Sequence, residues 1–223
     1  MQKRIYFKGC LFDLDGTLVD STSAVNRAWT MLAKRNQLNV EYVLSVIHGR
    51  PASESINELL SGKTQEHIDA EIVWLQNEET KDTDGVVPID GAIDLLNMLD
   101  GFGIPWAIVT SGTIPVAEAR LKASGIRQPD IFITAERITY GKPNPEPYLL
   151  GANELGLDIR DCIVFEDAPA GIKAGLAANS CATIGILSHA MPEDLLNVEC
   201  IKNYRQIDIH QGSGCSILKI NAK

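Results

Sequence analysis

The sequence predicts an α/β fold in which a parallel sheet is flanked by helices and carries a small α-helical domain inserted after its first strand. Three observations carry that expectation. From Pro88 onward strand-like and helical patterns alternate, the stretch from Ser21 to Asp84 is helical without a convincing strand, and the first apolar run ends in paired carboxylates. Repeated βα units give parallel sheets joined by right-handed crossovers, with ligands beyond the carboxyl ends of the strands. A helical block of ~60 residues is too long for an ordinary crossover. Residues 20–85 are therefore read as the insert, and residues 1–19 and 86–223 as the core. A chain of 223 residues with 45% hydrophobic content is long enough for one core plus a lid.

The first strand is the apolar run Gly9-Cys10-Leu11-Phe12, which ends in Asp13 and Asp15 and is broken by Gly16-Thr17. With period-two alternation the two acids start on one side of the strand and converge unless the chain bends. At ~4 Å and an effective dielectric of ~20, two like charges repel by about 4 kcal/mol. The pair thus calls for a cation, a shared proton or a twist of the backbone; the bland reading is a turn whose acids cap the next segment.

In residues 21–36, Val25, Ala28, Trp29, Leu32 and Ala33 share one helical face, with Ser21 or Thr22 placed to cap. Helical patterns recur over 53–60 and 67–80. A helix through Ile93, Leu96 and Leu99 opens the alternating region, followed by a strand at 105–110 and a helix at 115–123. Strands at 131–134 and 162–165 flank a helix at 148–155; a helix at 168–178 and a strand at 181–186 close the series. Beyond Pro192 the patterns weaken, and Gly212-Ser213-Gly214 either joins two strands as a hairpin or belongs to a mobile tail.

Three further stretches carry chemistry. The strand Trp106-Ala107-Ile108-Val109 ends in Thr110-Ser111-Gly112-Thr113, whose hydroxyls and helix-start amides suit a phosphate, though Ser and Thr are also common caps. Lys142 lies in a loop stiffened by Pro143, Pro145 and Pro147; pointing inward, it can neutralise both a phosphate and a carboxylate. Glu166 and Asp167 stand at the end of another buried strand, where oxygen ligands suit Mg²⁺.

Together these stretches resemble the haloacid dehalogenase-like superfamily. Asp13, Asp15, Gly16, Thr17, Leu18, Asp20 and Ser21 match its first motif, and Thr110 or Ser111, Lys142 and Glu166-Asp167 follow in its order, in a match running from about Lys8 to Ile186. The resemblance implies a Rossmann-like core with a helical cap. It also implies that Asp13 is a phosphoryl-accepting nucleophile, that Asp15 is a general acid and base, and that Mg²⁺ is held by Asp13, the Asp15 main-chain carbonyl and Asp167, with Glu166 a direct ligand or just behind one. Val109-Thr110-Ser111-Gly112-Thr113 and the segment Lys142 to Tyr148 look like the forms found in phosphatases of sugar and polyol phosphates. His48, Arg50, Asn26 and Asn144 are candidate substrate contacts. In β-phosphoglucomutases a cap His and a cap Arg retain the bisphosphate intermediate; the corresponding positions here are Val25 and Ala52, with Arg50 near enough to substitute for the Arg, which places hydrolase ahead of isomerase. A receiver-like phosphoacceptor switch fits worse, because receivers are shorter and lack the helical insert.

A net charge of −9 without a basic cluster argues against nucleic acid. No apolar run approaches the ~20 residues of a membrane span, and no signal-peptide core precedes the first strand. The five scattered cysteines read as reduced thiols. The expectation is a cytoplasmic monomer acting on a small phosphorylated metabolite.

Overall fold

Strands that are apolar on both faces must be covered on both faces. The computed structural model, which describes residues 4–47, 50–188, 191–212 and 214–221, meets that need in chain order. Strands β1 (Arg4–Phe7), β2 (Gly9–Phe12) and β3 (Val19–Asp20) are followed by helices α1 (Thr22–Arg35), α2 (Val40–Val46), α3 (Ala52–Leu59) and α4 (Gln65–Lys81). Then come β4 (Val87–Pro88), α5 (Ala92–Gly101), β5 (Trp106–Val109), α6 (Ile114–Ser124), β6 (Ile131–Ile133), α7 (Glu146–Glu154), β7 (Cys162–Glu166), α8 (Pro169–Ala177) and β8 (Ala182–Ile186). Strands β9 (Glu199–Ile201), β10 (Ile207–Gln211) and β11 (Ser216–Ile220) complete the chain.

The main sheet has six parallel strands in the order β6-β5-β2-β7-β8-β9. Side-chain alternation splits its residues between two cores. Cys10, Phe12, Trp106, Ile108, Ile163 and Phe165 pack on one face with α5 and the C-terminal strands. Leu11, Ala107, Val109, Cys162 and Val164 pack on the other against Tyr148 and Ala152 of α7 and Ala174 of α8. Phe12 stacks on Phe165 with centroids 4.7 Å apart, which locks β2 to β7.

Helices α1 to α4 leave and re-enter the core through the short antiparallel pair β3–β4. They close around their own cluster of Ala28, Trp29, Leu32, Val43, Ile56, Leu60, Ile68 and Leu75. Helix α2, absent from the sequence expectation, has a clear N-cap, since Asn39 accepts from the Tyr42 amide.

The ends of the chain depart from expectation in two ways. Residues 4–7 do not simply lead into β2; they form β1, which pairs with β11 in a separate antiparallel sheet β1-β11-β10. The tail is thus a hairpin, and its strands are ordered by the N-terminal one. Nor does β8 close the parallel series, because β9 adds one more strand alongside it. No described helix is long and apolar enough to cross a membrane.

Candidate active site

From β2 the chain winds toward β5 and β6, and from β7 toward β8 and β9 on the other side. The crevice between β2 and β7 is therefore the topological switch point, where open α/β sheets bind ligands. Asp13 follows β2, while Glu166 ends β7 with Asp167 next to it. Beyond Asp13 the chain turns sharply, with the amides of Thr17, Leu18 and Val19 all directed to the Leu14 carbonyl. Gly16 makes the turn at φ +81°, and a Cβ there would lie 2.0 Å from Asp167 Oδ2. The Tyr204 hydroxyl braces this loop by donating to the Thr17 carbonyl at 3.1 Å.

Lys142, 2% exposed, points inward. Its Nζ donates to Asp13 Oδ1 at 2.5 Å, Glu166 Oε1 at 2.7 Å and the Val109 carbonyl at 3.0 Å. Burial opposes its charge, but the facing Asp13 and Glu166 carboxylates hold its pKa above the usual lysine value. Glu166 is saturated: Oε1 also accepts from the Tyr148 hydroxyl at 2.8 Å, and Oε2 accepts from the amides of Asp167 and Ala168. Asp167 Oδ1 accepts from the Thr17 hydroxyl at 3.1 Å. Burial, with the charges of Glu166 and Asp13, pushes its carboxyl well above the usual range.

The two acids of the first loop take different partners, Asp13 turning to Lys142. Asp15 reaches instead toward Arg120 of α6, with Nε 3.3 Å from Oδ1. Arg120 is fully buried, and its Nη1 donates to the main-chain carbonyls of Glu79 and Asp82 at the end of α4. Its Nη2 lies 3.8 Å from Glu79 Oε1. Burial pushes the Glu79 carboxyl up to about 7, against the pull of Arg120.

A cavity of about 160 Å³ opens between the strand ends and the helical block. Its floor includes Asp13, Asp15, Thr110, Ser111, Gly112 and Asp167, and its roof Val25, Trp29, Arg50, Ala52, Gln76 and Glu79. The expected hydroxyl turn thus faces the acids. Thr110 is buried and its Oγ1 accepts from the Gly112 amide at 3.0 Å, so both are engaged within the turn. Ser111 is half-buried on the cavity wall. Thr113, also on the wall, has a buried hydroxyl without a partner among the described residues.

Of the candidate substrate contacts, Arg50 lines the cavity while pairing with Glu58 at 2.9 Å. Two others are corrected. Asn144 is exposed and off the cavity, its Oδ1 accepting from the Glu146 amide as a turn cap. Asn26 lines a separate groove with Arg27, Thr30, Met31 and Asp82. His48 lies outside the described residues.

The family model of haloacid dehalogenase-like hydrolases matches residues 7–179. The chain belongs to that family. It is an enzyme of the hydrolase class. The chain is 50% identical to hexitol phosphatase A of Escherichia coli (strain K12) over 194 residues, 87% of this chain and 89% of that protein. It is 35% identical to glycerol-1-phosphate phosphohydrolase 2 of Saccharomyces cerevisiae over 215 residues, 89% of this chain and 83% of the other. A crystal structure of β-phosphoglucomutase from Clostridium difficile superposes with a TM-score of 0.81 at 23% identity, covering 91% of this chain and 93% of that one. At that identity the likeness is one of fold.

A divalent cation fits this hydrolase site on its own chemistry. Oxygens of Asp13, Glu166 and Asp167 lie within 4.8 Å of one another, and with Glu166 saturated, Asp13 and Asp167 are the side chains that would hold the ion. Against these three acids Lys142 brings one positive charge, and hard oxygen donors suit Mg²⁺. Sequence reasoning placed Thr17 and Tyr148 in motifs but assigned them no role, and left Glu79 and Arg120 unmarked as site residues. Arg120 left a signal: Val116, Ala117, Arg120, Leu121 and Ser124 form the buried stripe of α6, so a charge stood on an apolar helical face.

Proposed function

We propose that this hydrolase is a Mg²⁺-dependent phosphatase of small sugar or polyol phosphates, with a hexitol phosphate as the leading substrate class, working through an aspartyl-phosphate on Asp13. The observation that carries the reading is the Lys142 bridge between Asp13 and Glu166 at the β2–β7 crevice, with Asp13 and the hydroxyl turn lining one cavity. The named activities of the relatives support the substrate class. The helical block over residues 20–85 serves as a cap and the remainder as the core. In this reading the protein works as a monomer, and five free thiols suit a reducing cytoplasm.

In this reading Asp13, the Asp15 main-chain carbonyl and Asp167 would hold Mg²⁺. Glu166, whose oxygens are taken by Lys142, Tyr148 and two amides, acts from behind them by orienting Lys142. When bound, the cation supplies charge neutralisation at the phosphoryl oxygens. Asp13 attacks phosphorus and the bond to the alkoxide breaks, while Lys142 offsets the repulsion between carboxylate and phosphate. Ser111, with Thr113 beside it, donates to the phosphoryl oxygens. Asp15 delivers the proton that the alkoxide needs, a contribution of about 10²–10⁴-fold. It then takes a proton from the water that releases phosphate. The helical roof excludes bulk water and contacts the polyol through Arg50, Gln76 and Glu79.

Phosphate release from hexitol, hexose and glycerol phosphates tests the reading. Hydrolysis is expected with Mg²⁺ and is expected to vanish with EDTA or in Asp13→Asn. Activity surviving either control, or none on the whole panel, would refute it. The isomerase alternative is disfavoured because Val25 and Ala52 put apolar groups on the cavity wall where a mutase carries His and Arg. Conversion of β-glucose 1-phosphate to glucose 6-phosphate without phosphate release would reverse that judgement.

A further inference from the structure

Among the described residues Arg120 heads the fully buried side chains by volume, and a buried guanidinium is tolerable only where it is paired. Its partners span the junction of the two lobes. Nη1 is tied to the carbonyls of Glu79 and Asp82, where α4 ends and the helical block returns to the core. The guanidinium is a rigid planar fork, so fixing Nη1 also fixes the direction of Nε. That direction is Asp15 Oδ1, 3.3 Å away. Oδ1 is buried, whereas the Asp15 side chain as a whole is 34% exposed and lines the cavity. One carboxylate oxygen is thus held against Arg120 and the rest of the group is open to a substrate.

The contact at Oδ1 is loose. Oδ1, Nε and Nη2 are all buried without a well-formed hydrogen bond among the described residues. Hydrogen bonds that serve catalysis are often long or poorly aligned outside the reacting complex and tighten within it. A rotamer held from one side, with slack for a small rotation, suits a group that must give and then regain a proton. A plain structural salt bridge would instead saturate the fork.

We propose that Arg120 is a positioning residue for Asp15: it holds the carboxyl in the orientation that reaches the leaving-group oxygen, and it takes that orientation from the end of α4. The seating of the helical block on the core thereby sets the proton donor. The inference rests on the phosphatase reading, in which Asp15 protonates the departing alkoxide.

The test is leaving-group dependence. The quantity kcat/KM reports events up to cleavage of the phosphorus–oxygen bond, and p-nitrophenolate departs without a proton where a hexitol alkoxide needs one. Arg120→Met is expected to lower kcat/KM on hexitol phosphate by about 10²-fold and on p-nitrophenyl phosphate by less than about 5-fold, with Asp15→Asn giving the full size of the selective loss. Arg120→Lys is expected to show the same selectivity, because one ammonium cannot hold the α4 carbonyls and Asp15 together. If Arg120→Met fails to fold, Arg120→Lys carries the same comparison. Equal losses on both substrates, or full rescue by lysine, would overturn the positioning role and leave a merely structural charge. A wild-type protein that hydrolyses neither compound, or an Asp13→Asn variant that still hydrolyses both, would overturn the phosphatase reading and this inference with it.

Discussion

Glu166 has no freedom left, and Gly171 is the reason it fits. The carboxylate folds back over the first turn of α8, where a Cβ on Gly171 would come within 1.6 Å of Oε1. A flexible side chain could usually swing away at little cost, but this one accepts from Lys142, Tyr148 and two amides. Helix propensity alone would make Gly171→Ala stabilising by about 1 kcal/mol. Freeing even one hydrogen bond to a charged group costs about 1.5–3 kcal/mol, so the collision wins. Gly171→Ala is expected to lower the melting temperature and to cut phosphatase activity at least about 10-fold, since Lys142 loses its brace. A more stable, fully active variant would show that Glu166 does not orient Lys142. The acids and Lys142 were legible in the sequence because each sits at a strand end or in a proline-framed loop. Asn144 was misread because its side chain satisfies its own turn, a local option open to any Asn before a helix. Tyr148 and Thr17 were illegible, since their roles depend on partners 18 and 150 residues away.

Between elements, the helical block is fastened by a buried carboxylate. Glu71 of α4 accepts from Arg35 at the end of α1, at 3.0 and 3.2 Å, and from Asn36 at 3.0 Å. Arg35 also lies over the Trp74 ring, 4.4 Å from its centroid. Burial pushes the Glu71 carboxyl up, but the hydrogen bonds from Arg35 and Asn36 outweigh it and hold the pKa below the usual value. A folded pKa below the unfolded one, about 4.3, gives stability that is present above that pH and lost as pH falls through the folded value. Arg35 is partly exposed, which limits the contribution to about 1 kcal/mol. Glu71→Gln is expected to melt a few degrees below the parent at pH 7, with the gap closing below about pH 4. A gap independent of pH would assign the effect to packing. Periodicity made α1, α3 and α4 legible because their apolar faces repeat over two or more turns. Helix α2 buries only Val43 and so left almost no periodic signal. Likewise β9 is three residues long, and β1 gains its meaning only from a partner at the far end of the chain.

For the molecule as a whole, electrostatics oppose the proposed substrate. The chain carries a formal net charge of −9, while Lys142, Arg50 and Arg120 supply positive charge close to the cavity. A phosphate dianion therefore approaches through an unfavourable field until it meets the cations in the crevice. Repulsion over such distances is screened by salt, because the Debye length shrinks from about 30 Å at 0.01 M to about 8 Å at 0.15 M. The short contacts inside the cavity are screened far less. Over that range, at saturating Mg²⁺, kcat/KM for a dianionic substrate is expected to rise by about twofold or more, chiefly through a lower KM. An enzyme that steers its substrate by charge shows the opposite slope. A fall in kcat/KM with salt would mean that Lys142, Arg50 and the bound cation project their field beyond the cavity mouth and override the net charge.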